Sequence, residues 1–300
     1  MRYNDVTLGI IGLGQIGASI AAGLKGKVKT IIGFDTNPDN ANYCLNTGYI
    51  SSALSLKEVA RNCDIVAIAT PVDQIGCIAL NLLNYGNQQL VVFDAGSVKA
   101  TIKETLLTYP KRGQFVSTHP MAGNAGQGPQ YASGNLFKGK LTFICDEQLS
   151  TNRSVGLVAG LWNLLGSRIE FTDSTQHDML MAYISHLPQL AAFALANTVT
   201  YSSKEIDGIL RAASSGFDSM TRLALSSARM WIPIIQQNRD NILNALSAMQ
   251  QQLNQLETFI RQNNQVALQS VIAQANGIRS AFEEQHNQKI KSHDNQTVKN

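Results

Sequence analysis

Apolar and polar positions fall into blocks along the first half of the chain. Short apolar runs at 6–11, 30–35, 64–70, 90–96, 113–120 and 141–146 have the length and β-branched content of buried strands. Segments of helical periodicity lie between most of them, which predicts βαβ units and a mostly parallel sheet. One more pair is expected, a helix at 154–166 and a strand at 168–173. From Ser174 to about Glu284 the texture changes: helical periodicity continues and strand-like runs stop. The expected fold class is α/β, a doubly wound, mostly parallel sheet followed by an all-helical second domain. The reading divides the chain into 1–172, 173–284 and a polar, aperiodic tail at 285–300 that is expected to be disordered.

Within the second half, Ile242, Leu246, Met249, Leu253, Leu256 and Ile260 are spaced alternately four and three apart, a heptad-like seam on one helix. The flanking sequence is rich in Gln and Asn, so this stripe is the helix's apolar face. The second domain must also offer a face to the first to form a cleft. A homodimer made through the second domain is the expected way to cover the remaining apolar area.

Composition narrows the classes of partner. The chain has 300 residues, 15% of them charged, and a net charge of +3. Its Lys and Arg residues are scattered, which gives no basis for a nucleic-acid or membrane-surface partner. No apolar stretch is expected to reach membrane-spanning length, and the opening "MRYNDVTLGII" does not read as a signal peptide. Cys44, Cys63, Cys77 and Cys145 are far apart and lack metal-type spacing, as reduced thiols of a cytoplasmic protein would be. No metal site is expected.

The stretch "LGIIGLGQIGASIAAGL" (8–24) passes from an apolar run into a glycine-punctuated one and then into an Ala/Ile/Leu-rich segment. A strand that turns directly into a helix needs glycine for the turn and wherever backbone must approach another group closely. In the dinucleotide-binding pattern that group is a pyrophosphate on the helix N-terminus, held here by Gly12, Gly14, Gln15, Ile16 and Gly17. Asp35 ends the second strand about 20 residues on, where a carboxylate accepts hydrogen bonds from the adenosine ribose hydroxyls and repels a 2′-phosphate. The expected cofactor is therefore NAD. Thr70 and Pro71 follow the strand at 64–70, where a dinucleotide would pass.

Three further stretches hold polar residues at positions costly for packing. "STHPMAG" places His119 just after a strand, "AYISHLPQL" places His186 in an apolar helical segment, and "SSGFDSMTRLA" places Arg222 near the start of a helical stretch. Singly, each reads as a core histidine or a surface arginine. Beside a nicotinamide fold they suggest a cleft with two imidazoles and a cation.

The order of "GLGQIG", "GSVK", "HPMAG", "SHLP", "SSGF…TR" and "MWIPIIQQN" resembles the prephenate and arogenate dehydrogenases of tyrosine biosynthesis, over about residues 6–282. That resemblance implies a Rossmann domain followed by a helical dimerisation domain, and prephenate or arogenate as substrate. It implies that His119 hydrogen-bonds the substrate's ring hydroxyl and takes its proton. It implies that Ser97 helps position that hydroxyl, that Arg222 grips a substrate carboxylate, and that His186, with Ser185 beside it, lines the site. The chain departs from the family pattern at Gln189, where many members have a second histidine, at Asp218, where many have a basic residue, and at Ala125, where some have a glutamate. Two other readings are open. One is a two-domain dehydrogenase using a second-domain lysine, which the lysine-poor helical half, Lys204 excepted, disfavours. The other is a non-catalytic nucleotide sensor, which would have no need of Ser97, His119 and Arg222 together.

Overall fold

The computed structural model describes residues 2–123, 126–202 and 206–297, with side chains described through residue 284; Ala125 and Lys204 lie outside the described residues. The chain divides into two compact units, Met1–Ile242 and Leu243–Asn300.

The first unit is built on one eight-stranded sheet. Its strands are β1 (Thr7–Ile11), β2 (Thr30–Phe34), β3 (Ser52–Ala53), β4 (Ile65–Ile68), β5 (Val91–Asp94), β6 (Phe115–Pro120), β7 (Leu141–Cys145) and β8 (Arg168–Thr172), and they lie in the order β3-β2-β1-β4-β5-β6-β7-β8. The six strands from β3 to β6 are parallel; β7 pairs antiparallel with β6, and β8 runs parallel to β7. The helices between them are α1 (Gln15–Leu24), α2 (Pro38–Asn46), α3 (Leu56–Asn62), α4 (Val72–Tyr85), α5 (Ala100–Leu106) and α6 (Asn152–Leu164). Strand alternation sends side chains to two cores. Leu8, Ile10, Ile65, Ala67, Val91 and Phe93 join one cluster with α1 and α6. Ile11, Val66, Ile68 and Val92 join the other with α3, α4 and α5. Burial on both faces is why these strands read as continuous apolar runs.

Every strand expected from the pattern is present. The two-residue β3 was not expected, since it is too short to carry a period.

After β8 the unit continues as α7 (Ser174–Met181), a π-helical turn over Ala182–His186, α8 (Leu187–Ser202), α9 (Ser215–Thr221), a 3₁₀ turn over Arg222–Leu225 and α10 (Ala228–Gln237). The wide turn ends two residues before Pro188, whose ring and missing N–H cannot join an α-helical ladder with the turn before it. The helix from Ser174 to Ser202 corrects one expectation: its most apolar window reaches a mean hydropathy of 1.4, long and apolar enough by composition to cross a membrane. The polar residues it does contain, His177, Asp178, His186 and Gln189, are buried. Their partners all belong to this unit, as buried polar groups require, while Met179, Leu180, Tyr183 and Ile184 of the same helix are exposed.

In the second unit α11 (Arg239–Arg261), which begins in the first, is followed by α12 (Gln265–Thr297). Asn263 between them takes a left-handed conformation with φ 51°. The expected seam lies on α11, where Leu253 and Ile260 are exposed. The α12 backbone is helical through Thr297, into the stretch expected to be a disordered tail. No Gly or Pro follows Gly277 to stop it.

Candidate active site

Gly12, Asp35, Thr70, Ser97 and His119 all lie at or just beyond the carboxyl ends of parallel strands β1, β2, β4, β5 and β6. That edge is where ligands of open α/β sheets gather.

The β1–α1 turn is tightly determined by backbone. Gly12 has φ +88°, and a Cβ there would stand 2.6 Å from the Ala69 carbonyl oxygen. A Cβ on Gly17 would stand 1.9 Å from the Gly12 oxygen. Gly14 differs: its φ is −73°, and a Cβ would meet nothing within 4 Å. The fold's own packing does not require glycine at 14, so the open space beside it suits the close approach of another molecule. Gly14 is the N-cap of α1, with no side-chain cap, which leaves the positive end of the helix to an anion. These features fit a dinucleotide pyrophosphate. Gly12, Gly14, Gln15, Ile16, Asp35, Thr70 and Pro71 are all half-buried rather than sealed, and Gly17 is buried beneath them. Asp35 also ties the turn together: its carboxylate accepts from Leu13 N (2.7 Å), Asn37 N (2.7 Å) and the Asn40 amide (3.2 Å).

From β6, at the same edge of the sheet, runs a row of polar side chains: His119 is half-buried, and His177, Asp178, His186 and Asn238 are buried. His119 Nδ1 is 2.9 Å from His177 Nε2, and His177 Nδ1 is 2.8 Å from Asp178 Oδ1. The Asp178 carboxylate also accepts from Lys99 N (2.9 and 3.1 Å) and Ala100 N (2.8 Å), at the start of α5. The Asn238 amide nitrogen donates to the Asp178 carbonyl (2.7 Å) and lies 3.1 Å from His186 Nδ1. Asn238 is oriented by Asn241, which donates to its oxygen at 2.8 Å. His119 and His186 are thus joined through His177, Asp178 and Asn238. Phe143 stands edge-on to His177 with ring centroids 5.4 Å apart, and Trp231 stands edge-on to His186 at 5.8 Å.

Burial pushes all three imidazoles toward the neutral form. His119 lies well below the usual histidine range because of desolvation first, with His177, Lys99 and His186 adding to it. His177 is lowered by desolvation, against the opposing effect of its hydrogen bond to Asp178. His186 is pushed down to about 4 by desolvation. Lys99 is wholly buried; its ammonium pairs with the Asp94 carboxylate and donates to the Thr118 carbonyl at 2.7 Å. This pair sits directly beneath the strand residue preceding His119.

The structure therefore brings together His119 and His186 of the expected site residues, with Ser97 and Ser185 half-buried on adjoining segments. Arg222 is placed differently. It is exposed, and it lines a cleft of about 460 Å³ with Phe217, Asp218 and Thr221 that includes none of these histidines. Gln189 is buried and structural: its amide donates to the Leu223 carbonyl at 2.6 Å and so ties α8 to the Arg222 turn. Sequence reasoning missed His177, Asp178, Asp94 and Asn238, and gave Lys99 no role. The signal for the first pair was available: "HDMLMAY" carries an adjacent imidazole and carboxylate in an apolar helical run, the same anomaly that marked His186.

A parallel sheet with an open glycine turn at its carboxyl edge, and a neutral histidine at the same edge, defines a dinucleotide-dependent oxidoreductase. Comparison with known proteins makes the assignment specific. Residues 20–171 match the prephenate dehydrogenase nucleotide-binding domain, and residues 173–274 match the prephenate dehydrogenase dimerization domain. The chain is 31% identical to prephenate dehydrogenase of Bacillus subtilis over 88% of its own length and 72% of that protein's. It is 29% identical to cyclohexadienyl dehydrogenase of Zymomonas mobilis, covering 84% of this chain and 88% of the relative. Among solved structures it superposes on Aquifex aeolicus prephenate dehydrogenase in complex with hydroxyphenyl propionate and NAD⁺ with a TM-score of 0.86, at 28% identity over 92% of this chain and 98% of that one. Synechocystis arogenate dehydrogenase gives 0.76 at 26% identity, over 92% and 99% of the two chains. The chain belongs to the prephenate dehydrogenase family of NAD-dependent oxidoreductases.

Proposed function

We propose that the protein is a cytoplasmic prephenate dehydrogenase that converts prephenate to 4-hydroxyphenylpyruvate with NAD⁺, in tyrosine biosynthesis. The observation that carries this reading is His119, a neutral base at the carboxyl edge of the sheet that holds the glycine turn. Bound NAD⁺ supplies the acceptor for the two electrons of the carbinol C–H bond. His119 takes the ring hydroxyl proton as that bond breaks. The ring then loses its carboxylate as CO₂ and becomes aromatic, so the product's own stability drives the step. Ser97 helps position the hydroxyl, and His186 and Ser185 line the pocket; Arg222, exposed on a cleft that holds none of the histidines, is the proposed contact to a substrate carboxylate. Asp35 at the end of β2 supports NAD⁺ over NADP⁺.

Arogenate is the second candidate substrate, favoured by the similarity to relatives named for cyclohexadienyl and arogenate substrates. We place the functional division near residue 172. A homodimer through the helical part is supported by the match to a dimerization domain and by the exposed Leu253 and Ile260 of α11. The deciding experiment is a steady-state assay of prephenate or arogenate with NAD⁺ or NADP⁺. Turnover highest with prephenate and NAD⁺ is expected; equal or better turnover with arogenate or with NADP⁺ overturns the corresponding half of the proposal.

A further inference from the structure

The row from His119 to Asp178 carries more information than the presence of a base, because its hydrogen bonds fix where each proton sits. Asp178 has only acceptor atoms when ionised. Its carboxylate takes two backbone N–H groups from Lys99 and Ala100 and faces His177 Nδ1. His177 must therefore carry its proton at Nδ1. A neutral His177 then has a lone pair at Nε2, which faces His119 Nδ1 at 2.9 Å. For that contact to be a hydrogen bond His119 must donate from Nδ1, and its Nε2 is left as a lone pair. We infer that His177 and Asp178 are positioning residues for the reaction at His119, locking it as the tautomer whose Nε2 accepts the substrate's hydroxyl proton.

The charges around the row fit the same role. The ionisable groups facing His119 are His177 and His186 from the helix Ser174–Ser202 and Lys99 from the segment after β5; Asp178 lies one residue further along the row, and Asp94 holds Lys99. Lys99 and Asp94 cancel as a buried pair. Asp178 is left as one uncompensated negative charge at the far end of the row. When His119 takes up a proton the row becomes neutral, so the carboxylate offsets the imidazolium at the moment it forms. Asp178 can do this without touching substrate or cofactor. Its backbone bonds to the start of α5 hold it in place and also tie it to the segment carrying Ser97.

This inference rests on the functional reading above, and the test separates the two. Full-length protein is labelled with ¹⁵N-histidine, and the ring tautomers are read from two-bond ¹⁵N–¹H spectra at pH 8 without substrate; five histidines keep the spectrum assignable. Wild-type His119 is expected as the Nδ1–H form. In Asp178→Asn the amide can donate to His177 Nδ1, which reverses both rings and places the proton of His119 on Nε2. The expected kinetic signature is a fall in kcat of roughly 100-fold or more with KM within about threefold, because orientation of the base is felt in the transition state. An Nε2–H tautomer in the wild type, or wild-type kcat in Asp178→Asn, overturns the inference. Since Asp178→Asn also disturbs the start of α5, a second pair is read beside it. His177→Gln keeps an acceptor for His119 Nδ1–H and His177→Leu does not, so kcat should be about tenfold higher in the glutamine variant; equal values overturn the inference. Wild-type protein inactive on both prephenate and arogenate would defeat the functional reading and leave the substrate-free tautomer spectrum to decide this one.

Discussion

The glycine turn and the histidine row sit on one edge of one sheet and are built in opposite ways. The turn is local: Gly12 to Gly17, with Asp35 tying in from the next strand, hold their shape through backbone, and the work is done by N–H groups and open space. The row is assembled across sequence. His119 comes from β6, His177 and Asp178 from α7, His186 from the wide turn, and Asn238 from beyond α10, with separations of 58 residues between His119 and His177 and 52 between His186 and Asn238. A binding site for a large, charged, many-atomed ligand can be made of backbone geometry. A proton acceptor needs one side chain held in one tautomer, and that requires burial and partners from several elements.

The sharpest way to break this contrast is His119→Asn. It should lower kcat by roughly 10²–10⁴-fold while NAD⁺ affinity, measured by titration calorimetry, stays nearly unchanged. A loss of NAD⁺ binding would show that the two sites are not separable. Arg222→Ala should raise the apparent KM by about tenfold or more with little change in kcat, as loss of a carboxylate contact present in ground and transition states does. An unchanged KM would confine Arg222 to the cleft that it lines apart from the histidines.

On the turn side, Gly17→Ala and Gly14→Ala form a matched pair. The Gly17 methyl would collide with the Gly12 carbonyl, and denaturant unfolding should show a loss of about 1–3 kcal/mol. The Gly14 methyl enters open space, so stability should hold within about 0.5 kcal/mol while NAD⁺ affinity falls. Stability loss at both positions would mean that Gly14 serves the fold after all. The smallest effect concerns pH. Only neutral His119 can accept the proton, and burial with Lys99, His177 and His186 holds it well below the ordinary histidine range. Activity should therefore stay level as pH falls through 6.5 and decline only on the acid side of that value. A rate–pH profile with its limb at or above 6.5 would contradict the burial argument.

The strands β1, β2, β4 and β5 could be read from sequence because each is an apolar run buried on both faces, and the turn because its three glycines fall within six residues of one another. The reversed direction of β7 and β8 left no mark, since an apolar run such as β7 looks the same whichever way it points. The site was half legible. His119 and His186 stood out as polar residues in apolar surroundings. Lys99 and Asp94 did not, because a buried ion pair is recognised only once its partner is known, and five residues of separation across a loop do not announce one. Asp178, although its place beside His177 in an apolar helical run was a signal, shows its role only once the start of α5 is seen to end on it.

The π-helical turn at Ala182–His186 sets the phase of everything after it. One extra residue in a turn rotates the downstream helix by about 100° about its axis relative to an unbroken α-helix. Ahead of the turn, α7 aims His177 and Asp178 at β6 and α5; behind it, α8 aims Gln189 at the Leu223 carbonyl. The turn works as a gearing step that lets one rod serve two clients whose directions do not match. Removing a single residue there would leave composition, hydropathy and every motif but one intact, yet it would swing Gln189 about a quarter of a revolution away from the segment that carries Arg222.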